Sequence, residues 1–446
     1  MKMSDEDVKN ALKDKALAIY GTRAERFDRL KKAYGIPINP VAQTSKEVIN
    51  VNYVENPKDD GKPKKKKDAA LENIEKIQAK REERRVKQEK LKDDKQNKEI
   101  ENKANGILTD VDFELMINQA RYTQHLFQPH TNSSNIKLSV NVRKRPIFAK
   151  DQQKGEIDSV SCANPNICVH EPKFKVDGIS KFIQNHQFTF DNTYNENEDS
   201  KTVFDHSVGR PLIEKLFKQS AVTLFAYGQT GSGKTFTMKS IQNHAVEELF
   251  NCSNSSSNKH LGVKFYMSFY EIYGAKCWDL LNKNNKVQVL EDKNNQVQIH
   301  GLTEHEVGTA DEMQKVIEFG HTARTTHCTA ANDTSSRSHA ICQIHIKDKS
   351  EKFVGKLIVV DLAGSERAQD TQSNNRQRRL EGAEINKSLL ALKECIRAMY
   401  TGQSHIPFRA SKLTLALRDS FIAKKIESYI LMIACVCPGS SSADHT

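Results

Sequence analysis

A chain of 446 residues with 37% hydrophobic and 28% charged residues has room for one large α/β domain with extensions, or for about two to three average domains. Its formal net charge of +11, from 68 Lys+Arg against 57 Asp+Glu, favours an acidic partner: nucleic acid, an anionic membrane or an acidic protein surface. The nine cysteines form no CxxC pair and no Cys/His cluster at zinc spacing, so they read as free thiols in a reducing compartment. No charged start followed by an apolar run opens the chain, and the most apolar stretch, 429–437, is far too short to span a bilayer. An intracellular, soluble protein with no membrane partner is expected.

Residues 4–35 carry Val8, Leu12, Leu17 and Ile19, a break at Tyr20-Gly21-Thr22-Arg23, and then Phe27, Leu30 and Tyr34 at helical spacing, which predicts two short helices. The layout resembles a SAP-type helix pair, and that resemblance implies DNA contact; a plain amphipathic hairpin fits the same pattern. Residues 36–68 hold Pro37, Pro40, Pro57, Pro63 and the run Lys64-Lys65-Lys66-Lys67, the composition of a flexible basic linker.

Residues 69–104 are dense in charge, and their few apolar positions, Leu71, Ile74, Ile77, Val86, Leu91 and Ile100, sustain no a/d heptad. A solvated charged helix and an electrostatic tether for an acidic polymer both fit. From Leu108 onward short β-branched runs alternate with helical patterns, as in a mixed α/β domain.

The strongest local signal is Gly228-Gln229-Thr230-Gly231-Ser232-Gly233-Lys234-Thr235, a GxxxxGK[ST] loop between the apolar run 222–227 and a helical stretch. Glycines let such a loop fold back so that successive backbone N–H groups face phosphate oxygens at a helix N-terminus. Lys234 then meets the β/γ-phosphates, and the Thr235 hydroxyl is placed to ligate Mg²⁺. Asp361-Leu362-Ala363-Gly364-Ser365-Glu366 follows a second buried run, placing Asp361 where a carboxylate would hold a magnesium-bound water. Asn332-Asp333-Thr334-Ser335-Ser336-Arg337-Ser338-His339 gathers hydroxyls and an arginine, chemistry suited to sensing a terminal phosphate.

These three segments, with Val142-Arg143-Lys144-Arg145-Pro146 before them, closely resemble the kinesin superfamily over residues 136–446. The resemblance implies a P-loop NTPase α/β fold, with a central eight-stranded mixed sheet flanked by helices and a helical N-terminal neck, and ATP with Mg²⁺ as ligands. It also implies the division into a charged helical neck over 69–135 and a motor domain over 136–446. Arg143, Arg145 and Pro146 would flank the adenine, with Phe236 against the base where many kinesins have His. Ser335 and Ser336 would reach the γ-phosphate and the magnesium shell. Arg337 and Glu366 would form the salt bridge joining the two switches, Glu366 would accept a proton from the attacking water, and the Gly364 N–H would sense the γ-phosphate.

The run 376–390 and the segment 405–414 resemble the kinesin face that binds tubulin, which implies microtubules as partner and the cytoplasm and cytoskeleton, spindle included, as location. Arg376, Arg378, Arg379, Lys387, Arg397, Arg409 and Lys412 would supply its positive charge. Three features resemble the kinesin-13 class: Lys393-Glu394-Cys395, the Lys175-Val176-Asp177 finger and the charged segment before the motor. That likeness implies an ATPase that depolymerises microtubules from their ends by stabilising curved tubulin. The alternatives are a directional translocating kinesin and a non-enzymatic microtubule or chromatin tether. Ser365 and Ala368 depart from the class pattern. The chain stops at Thr446, where a kinesin's last core helix is expected to begin, so a truncated motor domain is expected.

Overall fold

The computed structural model describes residues 65–122, 127–132, 137–293, 296–328, 337–366, 376–422 and 426–446, without the side chains of 65–72, 122, 326–328 and 376–379. The helix pair expected at 4–35 and nearly all of the linker expected at 36–68 lie outside the described residues. By its contacts the chain divides at Lys80/Arg81 into two units.

Helix α1 (Lys65–Ala104) is built from Lys, Glu, Gln and Arg, residues that lose little rotamer freedom in a helix. Pairs such as Arg85–Glu89, 3.2 Å apart at i,i+4, add little more than local support. Ile74, Ile77, Val86, Leu91 and Ile100 are all exposed, as the missing heptad requires. The helix ends before Gly106, whose φ of +65° takes the left-handed position natural to a helix terminus. Helix α2 (Val111–Tyr122) starts at Asp110, whose Oδ1 accepts from the N–H groups of Asp112 and Phe113 at 3.0 and 3.3 Å. Phe113 and Ile117 of α2 bury themselves against Ile157.

The body is a mixed sheet between two helical layers. In chain order its main-sheet strands are β1 (Leu138–Lys144), β5 (Asn192–Tyr194), β6 (Ser220–Tyr227), β7 (Lys264–Tyr273), β8 (Lys276–Asp279), β9 (Asn285–Glu291), β10 (Val297–His300), β11 (His305–Val307), β12 (His339–Lys347), β13 (Phe353–Asp361) and β14 (Glu427–Val436). The order is β10-β9-β8-β7-β12-β13-β6-β14-β1-β5, with β11 also on β7. β13, β6, β14, β1 and β5 run parallel to one another, and β12 and β7 to β10 antiparallel to their neighbours. The mixed sheet agrees with the expectation, but it has eleven strands rather than eight, because short hairpin strands continue one edge and β5 the other. A separate sheet of β2 (Val160–Ala163), β3 (Asn166–Phe174) and β4 (Lys181–Thr189) carries the 175–177 finger at its β3–β4 turn.

Strand β6 is buried along nearly its whole length, the pattern of a parallel strand covered on both faces. Its side chains alternate: Val222, Leu224 and Ala226 enter one core and Phe225 the other. On the first face pack α5 (Gly209–Leu216), α6 (Lys234–Asn254) and α7 (Ala310–Cys328), through Leu212, Leu216, Met238, Ile241 and Ile317. On the second pack α8 (Arg376–Tyr400) and α9 (Lys412–Phe421), through Leu389, Leu392, Leu413, Leu417 and Phe421. Truncating a fully buried leucine such as Leu224 to alanine costs about 2–5 kcal/mol. Two short helices, α3 (Ala149–Gln153) and α4 (Ser200–Ser207), complete the nucleotide side. The parallel strands β1, β6 and β13 end on one edge of this sheet, where crevices form in open α/β folds.

Candidate nucleotide site

The loop from Gly228 to Gly233 leaves the end of β6 and enters α6 at Lys234. Gly228 (φ +149°) could carry no side chain, because a Cβ there would lie 2.2 Å from the Cys435 carbonyl oxygen of β14. Gly233, at φ +96°, turns the chain into the helix. The loop therefore wraps closely over the sheet edge at a helix N-terminus, a place suited to phosphate, with Ser232 N donating to Gln229 O at 3.2 Å. Lys234 lies beneath it, 7% exposed, its Nζ donating to Gln229 O at 2.9 Å. Burial pushes its ammonium below the usual lysine range, and an added phosphate charge would favour the protonated form.

Above the loop is a cavity of about 440 Å³. Arg143, Arg145, Pro146 and the stretch from Thr230 to Phe236 line it together, so all of these expected ATP-binding residues meet at one site. Gly228 and Gln229 shape the loop from behind. Arg143 donates to Ser200 Oγ (2.9 Å) and Thr237 Oγ1 (3.2 Å) and lies 5.4 Å from the Phe236 ring centre. Arg145 donates to Gly231 O at 2.8 Å, pairs with Asp151 at 2.8 Å and covers the Phe148 ring. Phe236 is largely exposed, and an aromatic ring in that position can stack on a base. Phe148, Glu196 and Glu198 also line the cavity. Sequence reasoning missed these three, because single residues in loops carry no spacing signal.

Thr235 Oγ1 donates to Asp361 Oδ2 at 2.7 Å, bringing together two of the three expected magnesium positions. Asp361 is 4% exposed, and its Oδ1 has no hydrogen-bond partner. A buried carboxylate oxygen left over beside a hydroxyl suits a hard divalent cation, so the residues present fit Mg²⁺. Ser335 and Ser336 lie outside the described residues.

Asp361 has a second partner that the sequence did not reveal. Arg324 of α7, 2% exposed, donates to Asp361 Oδ2 at 2.5 Å and to Ser338 O at 2.9 Å, and its Nε is 3.7 Å from Glu271 Oε1. His339 lies alongside: its Nδ1 accepts from Ala363 N at 3.1 Å and its Nε2–H donates to Ser388 Oγ at 2.7 Å. Full burial and the Arg324 charge push the imidazole down to about 3, so it is neutral.

After Asp361 the chain stays on the phosphate loop. Ser365 N donates to Gly228 O at 3.1 Å. Glu366 accepts from Thr230 N at 2.9 Å and from the Thr230 hydroxyl. A Cβ on Gly364 would fall 2.3 Å from the Glu366 carboxylate and 2.5 Å from Thr230 Oγ1, which places Gly364 and Glu366 in the site as expected. The Arg337–Glu366 salt bridge is not formed. Arg337 pairs with Glu381 of α8 at 3.0 Å while Glu366 is held by Thr230, so each charge has a different local partner.

The residues expected to meet tubulin are scattered. Val176 is fully exposed at the β3–β4 turn, beside Lys175 and Asp177. Asp177 builds that turn: it accepts from Ile179 N, Ser180 N and Ser180 Oγ at 2.9, 2.8 and 2.5 Å. On α8, Lys387, Lys393 and Arg397 are exposed, and Arg397 pairs with Glu394 at 3.2 Å. Cys395 corrects the expectation, being wholly buried in the core beneath α8, where no partner reaches it. Arg409 pairs with Glu291 at 2.8 Å, and Lys412 donates to Val289 O at 3.2 Å, so their charges are partly spent inside the molecule. The side chains of Arg376, Arg378 and Arg379 lie outside the described residues.

Comparison with known proteins fits this geometry. The family model for the kinesin motor domain matches residues 143–446. "Diatom spindle kinesin-1" of Cylindrotheca fusiformis is 40% identical over 392 residues, which cover 85% of this chain; the chain spans 61% of that relative's length. A solved structure described as that of a fast kinesin, with implications for ATPase mechanism and interactions with microtubules, is 31% identical, with a TM-score of 0.59, over 71% of this chain and 89% of its own. These likenesses support the superfamily and not the kinesin-13 class in particular. The chain belongs to the kinesin motor-domain family, whose motor domains are microtubule-stimulated ATPases.

Proposed function

We propose that this chain is an ATP-driven microtubule motor that moves directionally along its track, working on the cytoskeleton and at the spindle. The observation carrying the ATPase reading is the joint hold of Thr235 on Asp361 and of Thr230 on Glu366, which sets the phosphate loop against the segment leading toward α8. The spindle reading leans on the diatom spindle kinesin, and the translocation reading on the likeness to a fast kinesin.

Bound Mg²⁺ would offset phosphate charge as the terminal bond breaks, held by Thr235, by Asp361 through water and by Ser336. The loop N–H groups and Lys234 orient the phosphates, and Phe236 and the arginines of the cavity wall hold the base. Glu366 is the acceptor for the proton of the attacking water. Repartnering of Arg337 from Glu381 to Glu366 closes the site and excludes water. The change is passed to α8, whose exposed Lys387 and Lys393 face an acidic track.

A surface gliding assay with ATP tests this reading: steady, directional filament movement supports it, and filaments that shorten without moving overturn it. The exposed β3–β4 tip favours a second reading, removal of tubulin from microtubule ends by the Lys175-Val176-Asp177 finger. In that case stabilised microtubules shrink with the wild type and not with the triple alanine variant. A non-enzymatic tether is disfavoured by the complete phosphate loop and would show no turnover at all.

A further inference from the structure

The nucleotide cavity and the neck are joined by a row of alternating charges. Arg121, in the last turn of α2, places Nη2 3.0 Å from Asp158 Oδ1 and also donates to the Asp158 carbonyl. Asp158 Oδ2 is 2.7 Å from Lys144 Nζ, which is 2.9 Å from Glu196 Oε2. Lys144 and Glu196 both line the nucleotide cavity. Lys144 is the last residue of β1 and only 3% exposed, so its position is set by the two carboxylates that share it.

We propose that Arg121 is a positioning residue for the nucleotide cavity, setting the Lys144–Glu196 wall from the neck through Asp158. Asp158 has two cations and Lys144 two anions. Without Arg121, Asp158 keeps one cation, and Lys144 is drawn toward it and away from Glu196. Glu196 then loses the charge that holds it against the wall. Asp158 cannot follow Arg121 freely, because its backbone bridges Gly439 and Ser159 N donates to Pro438 O at 2.8 Å. A change at the neck therefore moves side chains in the row and leaves the strands in place. The neck is thus an input to nucleotide affinity as well as an extension of the motor body.

This inference rests on the site being a nucleotide site, and the test separates the two. Dissociation constants for a fluorescent ADP analogue, KM for ATP and thermal midpoints are measured for the full chain, Arg121→Ala, Arg121→Lys and Lys181→Ala. Lys181 is the control, because its ammonium lies 2.7 and 2.9 Å from Asp110 and Asp112 at the other end of α2. The expected result is a rise of about three- to tenfold in the ADP constant and in KM for Arg121→Ala, with kcat changed less than KM. Arg121→Lys recovers part of the loss, and Lys181→Ala binds like the wild type even where its thermal midpoint falls. Wild-type affinity in Arg121→Ala overturns the inference, as does an equal loss in Lys181→Ala, which would mean that general docking of α2 is responsible. A wild type that binds no nucleotide overturns the reading of the site itself.

Discussion

Arg337 Nη1 stands 3.0 Å from Glu381 Oε2, tying the residue two positions before β12 to the first turns of α8. Both side chains are about four-fifths buried, and Glu381 also takes a hydrogen bond from the Tyr273 hydroxyl, which together with burial holds that phenol above its usual range. Glu366 meanwhile sits on Thr230. Arg337 and Glu366 thus hold different local partners, and pairing them with each other would cost Glu381 its cation and Thr230 its acceptor. A terminal phosphate bound better by the exchanged arrangement would supply that difference.

Glu381→Gln should release Arg337 toward Glu366. A restraint of about 1 kcal/mol corresponds to about fivefold in rate, so basal ATP turnover without microtubules should rise by at least about that much and the stimulation by microtubules should shrink. Steady-state phosphate release measures both, and a variant with wild-type basal turnover would show that Glu381 does not restrain the switch.

Arg324 lies between Asp361 and Glu271, with all three almost fully buried. Removing only the cation leaves two carboxylates without their charge partner in a low-dielectric setting, at a cost of about 3–5 kcal/mol. Arg324→Met should therefore lower the urea midpoint far more than Arg324→Met combined with Asp361→Asn and Glu271→Gln, although neither protein turns over ATP. Equal midpoints for the two would contradict this account of the cluster.

The legible and illegible parts of the molecule separate by the origin of their constraint. Gly228, Lys234, Thr235 and Asp361 could be read because a phosphate and a cation demand those residue types at fixed spacing along the chain. Arg324 could not, since it precedes the hydroxyl-rich segment on α7 and meets Asp361 only after folding. Cys395 was misread through its neighbours. Lys393 and Arg397 are exposed, but Cys395, two positions from each, lies about 200° around the helix and points inward. The eight expected strands were implied by the resemblance and not by any alternating pattern; the eleven include β5, β8, β10 and β11, each only three or four residues long.

The imidazole of His339 gives the site a defined acid sensitivity. Burial and the Arg324 charge push it from the ordinary histidine value of 6.5 down to about 3, so from pH 6.5 downward the unfolded chain binds a proton that the folded one refuses. Stability is fully present above that window and is lost as pH falls through it, by about 2 kcal/mol near pH 5. His321, pushed down to about 4 by burial, adds a loss of the same sign. His339→Asn, whose amide oxygen takes the place of Nδ1 and can still accept from Ala363 N, should show a shallower fall in urea-unfolding free energy between neutral pH and pH 5. An unchanged slope would mean that His339 titrates normally in the folded chain.

Gly364 offers the sharpest separation of chemistry from binding. It is not among the residues with positive φ, so alanine fits its backbone, but the added carbon would strike the Glu366 carboxylate and Thr230 Oγ1. The cheapest relief is for the Glu366 side chain to swing away, because the phosphate loop is pinned by Ser365 N on Gly228 O. Gly364→Ala should therefore keep its thermal midpoint within a few degrees, bind a fluorescent ATP analogue within about threefold of the wild type, and hydrolyse ATP at least about 100-fold more slowly. Parallel losses of affinity and turnover would instead place the damage in the phosphate loop, and the role given to Glu366 would have to pass to another group.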